Sequence, residues 1–120
     1  AVLGDNEVIS SCVGEILPAE DFYTFDAKYN NSESVAVIPA DISKEVSNNI
    51  RDLAIKAFKA IDGNGLSRVD FFVEKSTNEI YINEINTMPG FTEISMYPKL
   101  FEQVGIKYSE LLDKLIEMQF

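Results

Sequence analysis

The strongest constraint on the fold lies between residues 66 and 86. Two runs of β character, 66–75 and 79–86, are separated only by Ser76-Thr77-Asn78. So short a spacer forces an antiparallel return. A three-residue turn pairs Lys75 with Glu79, and from there the numbers of paired residues sum to 154. Phe72 then falls opposite Ile82, Asp70 opposite Glu84, and Arg68 opposite Asn86. Side chains alternate with period 2 along a strand, so all six share one face.

That face carries chemistry. Carboxylates directly opposite each other repel and weaken a bare hairpin. A divalent cation between Asp70 and Glu84 removes the penalty, and Asn86 adds a neutral oxygen ligand. Hard oxygen donors suit Mg²⁺, Mn²⁺ or Ca²⁺ better than zinc or copper, and Mg²⁺ keeps open positions for water or phosphate. Arg68 supplies a fixed positive fork for phosphate or an oxyanion. Phe72 and Ile82 continue the face as an apolar floor for a flat base. The same spacing also fits acids on the wet face of a sheet in an acidic protein.

Acidity is indeed general: 20 acids stand against 10 bases, a formal net charge of −10. Such a balance argues against nucleic acid or an anionic membrane as partner. No apolar run reaches the roughly 18 residues of a membrane span, and no signal peptide is visible. Histidine is absent, which excludes a Ser-His-Asp triad, a Cys-His pair and a His-ligated zinc site. Cys12 is the sole cysteine, so no disulfide closes within the chain and a reducing cytoplasm is the easier home. Its place is that of a small buried residue.

The 120 residues suffice for one domain with a real core. Residues 1–4 and 7–17 read as strands around an Asp5-Asn6 turn, with Val8, Ser10, Cys12, Gly14 and Ile16 on one face. Ala1-Val2-Leu3-Gly4 reads as the middle of a strand, so the chain is expected to be a fragment of a longer protein. Residues 19–34 show no period, and loops of that length are functional or disordered. Residues 1–40 hold seven acids and one base, Lys28, placed either to neutralise them or to meet an anionic ligand. Val35–Pro39 reads as a strand. Ser43 caps a helix whose apolar stripe is Val46, Ile50, Leu53, Ala54, Ala57, Phe58 and Ile61. Lys44, Glu45, Asn48, Arg51, Asp52, Lys56 and Lys59 form its solvated face, and Asp62-Gly63-Asn64-Gly65 ends it. A loop spans Thr87–Tyr97, in which Gly90 allows close approach of a ligand or a positive φ. Ser95 suits either a helix cap or a carboxylate contact. Pro98 opens a short helix ended by Gly105, and a last helix starts near Ser109 with Leu111, Leu112, Leu115, Ile116 and Phe120 inward.

Arg68-Val69-Asp70, followed by Tyr81-Ile82-Asn83-Glu84-Ile85-Asn86-Thr87-Met88-Pro89-Gly90-Phe91-Thr92, resembles the ATP-grasp ligases and, more narrowly, the D-alanine–D-alanine ligases. Ser95-Met96-Tyr97-Pro98 and Asp26-Ala27-Lys28-Tyr29 fit the same family, and the resemblance covers essentially the whole chain. It implies an α+β fold, the C-terminal part of an ATP-grasp domain: an antiparallel sheet packed against helices, with residues 18–34 as a mobile active-site loop. The N-terminal and central domains would lie upstream. It further implies ATP and two Mg²⁺ (or Mn²⁺) ions, with Asp70, Glu84 and Asn86 as metal ligands. Lys28 would reach phosphate and Tyr29 would help close the loop. Arg68 and the Gly90 N–H would stabilise the tetrahedral intermediate. Ser95 and the Met96 backbone would hold the second substrate's carboxylate, and Phe22 and Ile82 would line the nucleotide pocket. The implied reaction joins two D-alanines through an acylphosphate, for peptidoglycan precursors and hence the cell wall, in a cytoplasmic homodimer. Alone, the fragment should not turn over. D-serine or D-lactate as second substrate stays open, although Asp26-Ala27-Lys28-Tyr29 and Met96 look more like the D-alanine enzymes. Two other readings compete. Another ATP-grasp carboxylate–amine ligase would share Asp70, Glu84 and Asn86 but need not share Thr87–Pro98. A non-enzymatic acidic module would bind cations without regard to nucleotide.

Overall fold

The computed structural model describes residues 1–18 and 35–120. Its centre is a three-residue strand, β1 (Val2–Gly4), buried on both faces. β1 pairs antiparallel with β2 (Val8–Ser10) on one side and with β5 (Gly65–Val73) on the other. β5 pairs in turn with β6 (Ile80–Asn86), giving the order β2-β1-β5-β6. A separate ribbon joins β3 (Glu15–Leu17) to β4 (Val35–Val37). Three helices complete the described residues: α1 (Lys44–Ala60), α2 (Met96–Gln103) and α3 (Tyr108–Glu117). This is the α+β arrangement that the sequence led us to expect.

Alternation along β1 divides the core into two. Val2 turns to one face and packs with Ala54 and Phe58 of α1, joined by Val8, Val69 and Phe71. Leu3 turns to the other and packs with Tyr97, Phe101 and Leu111 of α2 and α3, joined by Leu66. The sheet is therefore covered by α1 on one side and by α2 and α3 on the other. The Tyr97 hydroxyl donates to the Val2 carbonyl at 2.8 Å, tying α2 to the central strand.

Four expectations need correction. The run 7–17 is not one strand. It breaks at residues 11–14, because the chain leaves the sheet to lie against α2. There the Cys12 thiol donates to the Leu100 carbonyl, and a Cβ on Gly14 would stand 2.7 Å from the Leu100 side chain. The buried stripe of α1 is narrower than its apolar pattern: Val46, Ile50, Ala54 and Phe58 are buried, whereas Leu53 and Ile61 are exposed. A single sheet face accepts only the i, i+4 row. In α3, Leu111 is buried and Leu115 packs partly, but Leu112, Ile116 and Phe120 face outward, since only one row meets α2. Arg51, expected in solvent, is part-buried and donates from Nε and Nη2 to the Ser10 hydroxyl and carbonyl, both at 3.3 Å.

The ends of α1 follow local chemistry. Ser43 Oγ accepts from the Val46 N–H at 3.2 Å, the expected cap. At the other end Asp62 adopts a positive φ of 54°, and the Gly63 N–H returns to the Phe58 carbonyl at 2.9 Å.

Ser67 is 1% exposed and its hydroxyl has no hydrogen-bond partner among the described residues. A buried unpaired hydroxyl is destabilising. Ser67→Ala is therefore expected to stabilise the fold by about 1 kcal/mol, read as a higher urea midpoint with unchanged slope; a lower midpoint would show that the hydroxyl has a partner.

Candidate active site

The hairpin reaches the expected register at its functional end by an unexpected route. Its loop has four residues, 75–78, not three: the Glu74 N–H donates to the Glu79 carbonyl at 2.9 Å and the Asn78 N–H to the Glu74 carbonyl at 2.7 Å. Asn78 takes φ 60°, a conformation that asparagine tolerates well. The Glu74 carboxylate fastens the loop, accepting from the Ser76 N–H and from the hydroxyls of Ser76 and Thr77. Those bonds hold its carboxyl below the usual range, the Ser76 hydroxyl first.

Near the loop, Val73 pairs with Ile80, Phe72 with Tyr81 and Phe71 with Ile82. A bulge then follows between Asp70 and Phe71, with Asn83 as the extra residue on β6. Beyond it Asp70 faces Glu84, Val69 faces Ile85 and Arg68 faces Asn86. The longer turn moves the register by one and the bulge moves it back. The expected pairing of Phe72 with Ile82 is thus corrected. Ile82 stands opposite Phe71, whose ring packs toward α1, and Phe72 meets Tyr81.

Arg68 and Asp70 share the face of Leu66, the side covered by α2 and α3, but lie further along the strand. Exposure rises from the packed Leu66 to Phe72, which is 62% exposed. Arg68 grips Asp70 with both prongs: Nε lies 2.9 Å from Oδ1 and Nη2 lies 3.0 Å from Oδ2. The same Nη2 is 3.8 Å from Glu84 Oε1. The guanidinium is held above its ordinary pKa, first by the Asp70 hydrogen bond, with the charges of Asp70 and Glu84 adding to it against partial burial. Among the described residues no three cysteine or acidic side chains converge on one point. The candidate ligands are two carboxylates and the Asn86 amide, an all-oxygen set that fits a hard cation. Asn86 Oδ1 accepts from the Met88 N–H at 3.0 Å, which fixes the amide and starts the following loop.

That loop is pinned at several points. The Phe91 ring lies 5.6 Å from the Tyr97 ring and 5.4 Å from that of Tyr108, and the Tyr108 hydroxyl donates to the Phe91 carbonyl at 2.9 Å. Ser95 occupies the cap position of α2 but makes no side-chain cap bond. Its hydroxyl accepts instead from the Thr92 N–H at 3.0 Å and bonds the Thr92 hydroxyl at 2.9 Å. Thr92 is a partner that the sequence did not reveal. Gly90 does not use a positive φ. Its lack of a side chain matters for approach, because a Cβ there would stand 3.2 Å from Ser95 Oγ. Met96 begins α2. Phe22, Lys28 and Tyr29, with Asp26 and Ala27, lie outside the described residues. No helix among the described residues is long and apolar enough to cross a membrane.

The bond from Thr92 to Ser95 makes a separable prediction. In Ser95→Ala, the Thr92 amide should exchange with solvent at least about tenfold faster, while amides within α2 keep their protection. Loss of protection along α2 would mean that Ser95 does cap the helix.

A family model described as the D-ala D-ala ligase C-terminus matches residues 1–117. A D-alanine–D-alanine ligase of Chloroherpeton thalassium is 58% identical over 98% of the chain, which covers 32% of that protein. Among solved structures, the VanG D-Ala:D-Ser ligase from Enterococcus faecalis superposes with a TM-score of 0.85 at 39% identity, over 99% of this chain and 34% of its own. A D-alanine–D-alanine ligase from Bacillus anthracis complexed with ATP gives 0.75 at 26% identity, over 98% and 35%. The chain thus spans about a third of the length of the curated relatives it matches.

Proposed function

Since the chain belongs to the D-alanine–D-alanine ligase C-terminal family and has its ATP-grasp architecture, we propose that it carries the metal–phosphate and second-substrate half-site of a D-alanine–D-alanine ligase. The observation that carries this reading is the bulged register, which sets Asp70 opposite Glu84 and Arg68 opposite Asn86 on one sheet face.

In the proposed reaction a carboxylate oxygen of the first D-alanine attacks the γ-phosphorus of ATP, and ADP leaves. The amine of the second D-alanine then attacks the acylphosphate carbonyl. The carbon–oxygen bond breaks, phosphate departs with its electron pair, and the amine sheds a proton. Asp70, Glu84 and Asn86 would hold two Mg²⁺ or Mn²⁺ ions, which would neutralise charge on the nucleotide phosphates. Arg68 and the Gly90 N–H stabilise the oxyanion formed at the attacked carbonyl. Ser95 and the Met96 backbone hold the second carboxylate. Lys28 neutralises phosphate charge, Tyr29 helps exclude the water that would hydrolyse the acylphosphate, and Phe22 contacts the nucleotide, whereas Ile82, paired with Phe71 on the α1 face, leaves this set. The rest of the nucleotide cleft and the first substrate's site belong to the longer protein. That protein acts on small molecules in the cytoplasm as a homodimer, without nucleic acid or membrane. The excess of acids over bases supports the last two exclusions.

The test is phosphate release by the longer protein with Mg²⁺-ATP, comparing D-alanine alone, L-alanine alone, and D-alanine with D-serine or D-lactate. Release that requires only D-alanine is expected. Release only with an added hydroxy acid or D-serine would move the second substrate, and none with any of them would refute the reaction. Glu84→Gln should lower turnover by about 10³-fold or more with an unchanged circular dichroism melt. Near-normal turnover would remove Glu84 from the metal set. Lys28→Ala should lower turnover by roughly 10²-fold with little change in melting temperature, whereas parallel losses would mark a structural lysine.

A further inference from the structure

We propose that Arg68 is a stand-in counter-ion. It holds the gap between Asp70 and Glu84 while the divalent cation is away, and it is displaced toward the substrate side when the cation arrives. The proposal rests on the metal reading of Asp70, Glu84 and Asn86 given above, and adds to it an order of events.

The geometry points to a contest for one place. Arg68 Nη2 lies 3.0 Å from Asp70 Oδ2 and 3.8 Å from Glu84 Oε1, so one positive nitrogen stands between the two opposed carboxylates. Nε engages the other Asp70 oxygen at 2.9 Å, so a single side chain occupies both oxygens of that acid. A cation held by both Asp70 and Glu84 would compete with Nη2 for that place. Two positive groups cannot share it, because they would overlap there and their charges repel.

The choice of residue fits the task. A guanidinium stays charged at any physiological pH, so it can leave only by moving and keeps its charge when it does. Its exit is local: Arg68 and Asp70 are two residues apart on one face, so rotation of the arginine side chain suffices. The acids are never left bare, and the fork is freed for an oxyanion only once the cation is loaded. The pair is also weak enough to open. Arg68 and Asp70 keep 27% and 31% of their side-chain surface in solvent, and Glu84 keeps 57%.

The chain has only two arginines, Arg51 and Arg68. Arg51 is bound to Ser10 and serves as the internal reference. The experiment is a titration of the longer protein with MgCl2 at constant ionic strength, with and without ATP. It follows the Nε–Hε resonances of both arginines and the side-chain amide of Asn86 by NMR. Arg68 Nε–Hε should shift saturably, with the same apparent Kd as the Asn86 amide, while Arg51 stays still. Arg68→Lys keeps the charge but loses the fork, so it should bind Mg²⁺ more tightly, by up to about fivefold, the range of a partly exposed ion pair. If Asn86 responds while Arg68 does not, or if the lysine variant binds no more tightly, the stand-in role is overturned and the metal site survives. If neither Asn86 nor Arg68 responds under either condition, both readings fall.

Discussion

Like charges at directly opposed positions of an antiparallel pair push the strands apart, and Asp70 and Glu84 occupy such positions. Much of the hairpin's local structure is concerned with holding them there. One acid is gripped by Arg68 from its own strand. The loop is fastened by Glu74 through three donors, so the hairpin does not rely on its charged end for closure. Pairing of Val69 with Ile85 continues the ladder beside the acids, and Val69 packs toward α1. The acids are thus carried by a strand pair stabilised on its other face, and their mutual repulsion remains available to a cation.

Sequence alone made the functional end of the hairpin legible, but through two errors that cancel. The spacer suggests a turn one residue shorter than the one that forms, and the bulge leaves no sign in the sequence. Asn78 was a usable sign of the longer turn, because asparagine accepts the positive φ that such a loop requires. Asn83 offered none: a bulge is a matter of two strands fitting over a twisted sheet, and no residue type announces it. The consequence is local. Arg68, Asp70, Glu84 and Asn86 fall where the count puts them, whereas Ile82 falls opposite Phe71.

The helices show the same limit from another side. Period alone marked both long helices correctly, and the Ser43 cap fixed the start of α1. Period could not say how wide a stripe would be buried, because width depends on what the helix meets. Against one face of the sheet, α1 buries one row, and Leu53 and Ile61 are left over. The break at residues 11–14 was hidden for a related reason. Alternation continues through it in the sequence, and only the close approach of Gly14 to Leu100 shows why the chain departs.

The proposed ligand side and the proposed second-substrate side are not independent pieces. Asn86 ends β6 and bonds the Met88 amide, so its orientation sets the first turn of the following loop. Phe91 then anchors the middle of that loop between two tyrosines, and Tyr97, one of them, is itself bonded to the central strand. Thr92 and Ser95 close the last turn before α2 begins at Met96. Eleven residues, from Asn86 to Met96, therefore run from a proposed oxygen ligand to a helix start, held at both ends and in the middle by the same core that supports the sheet. A loop so fastened cannot shift at Gly90 without disturbing Ser95, its neighbour across the turn. The precision that the proposed acyl transfer demands is, for this loop, a property of the fold before any ligand binds.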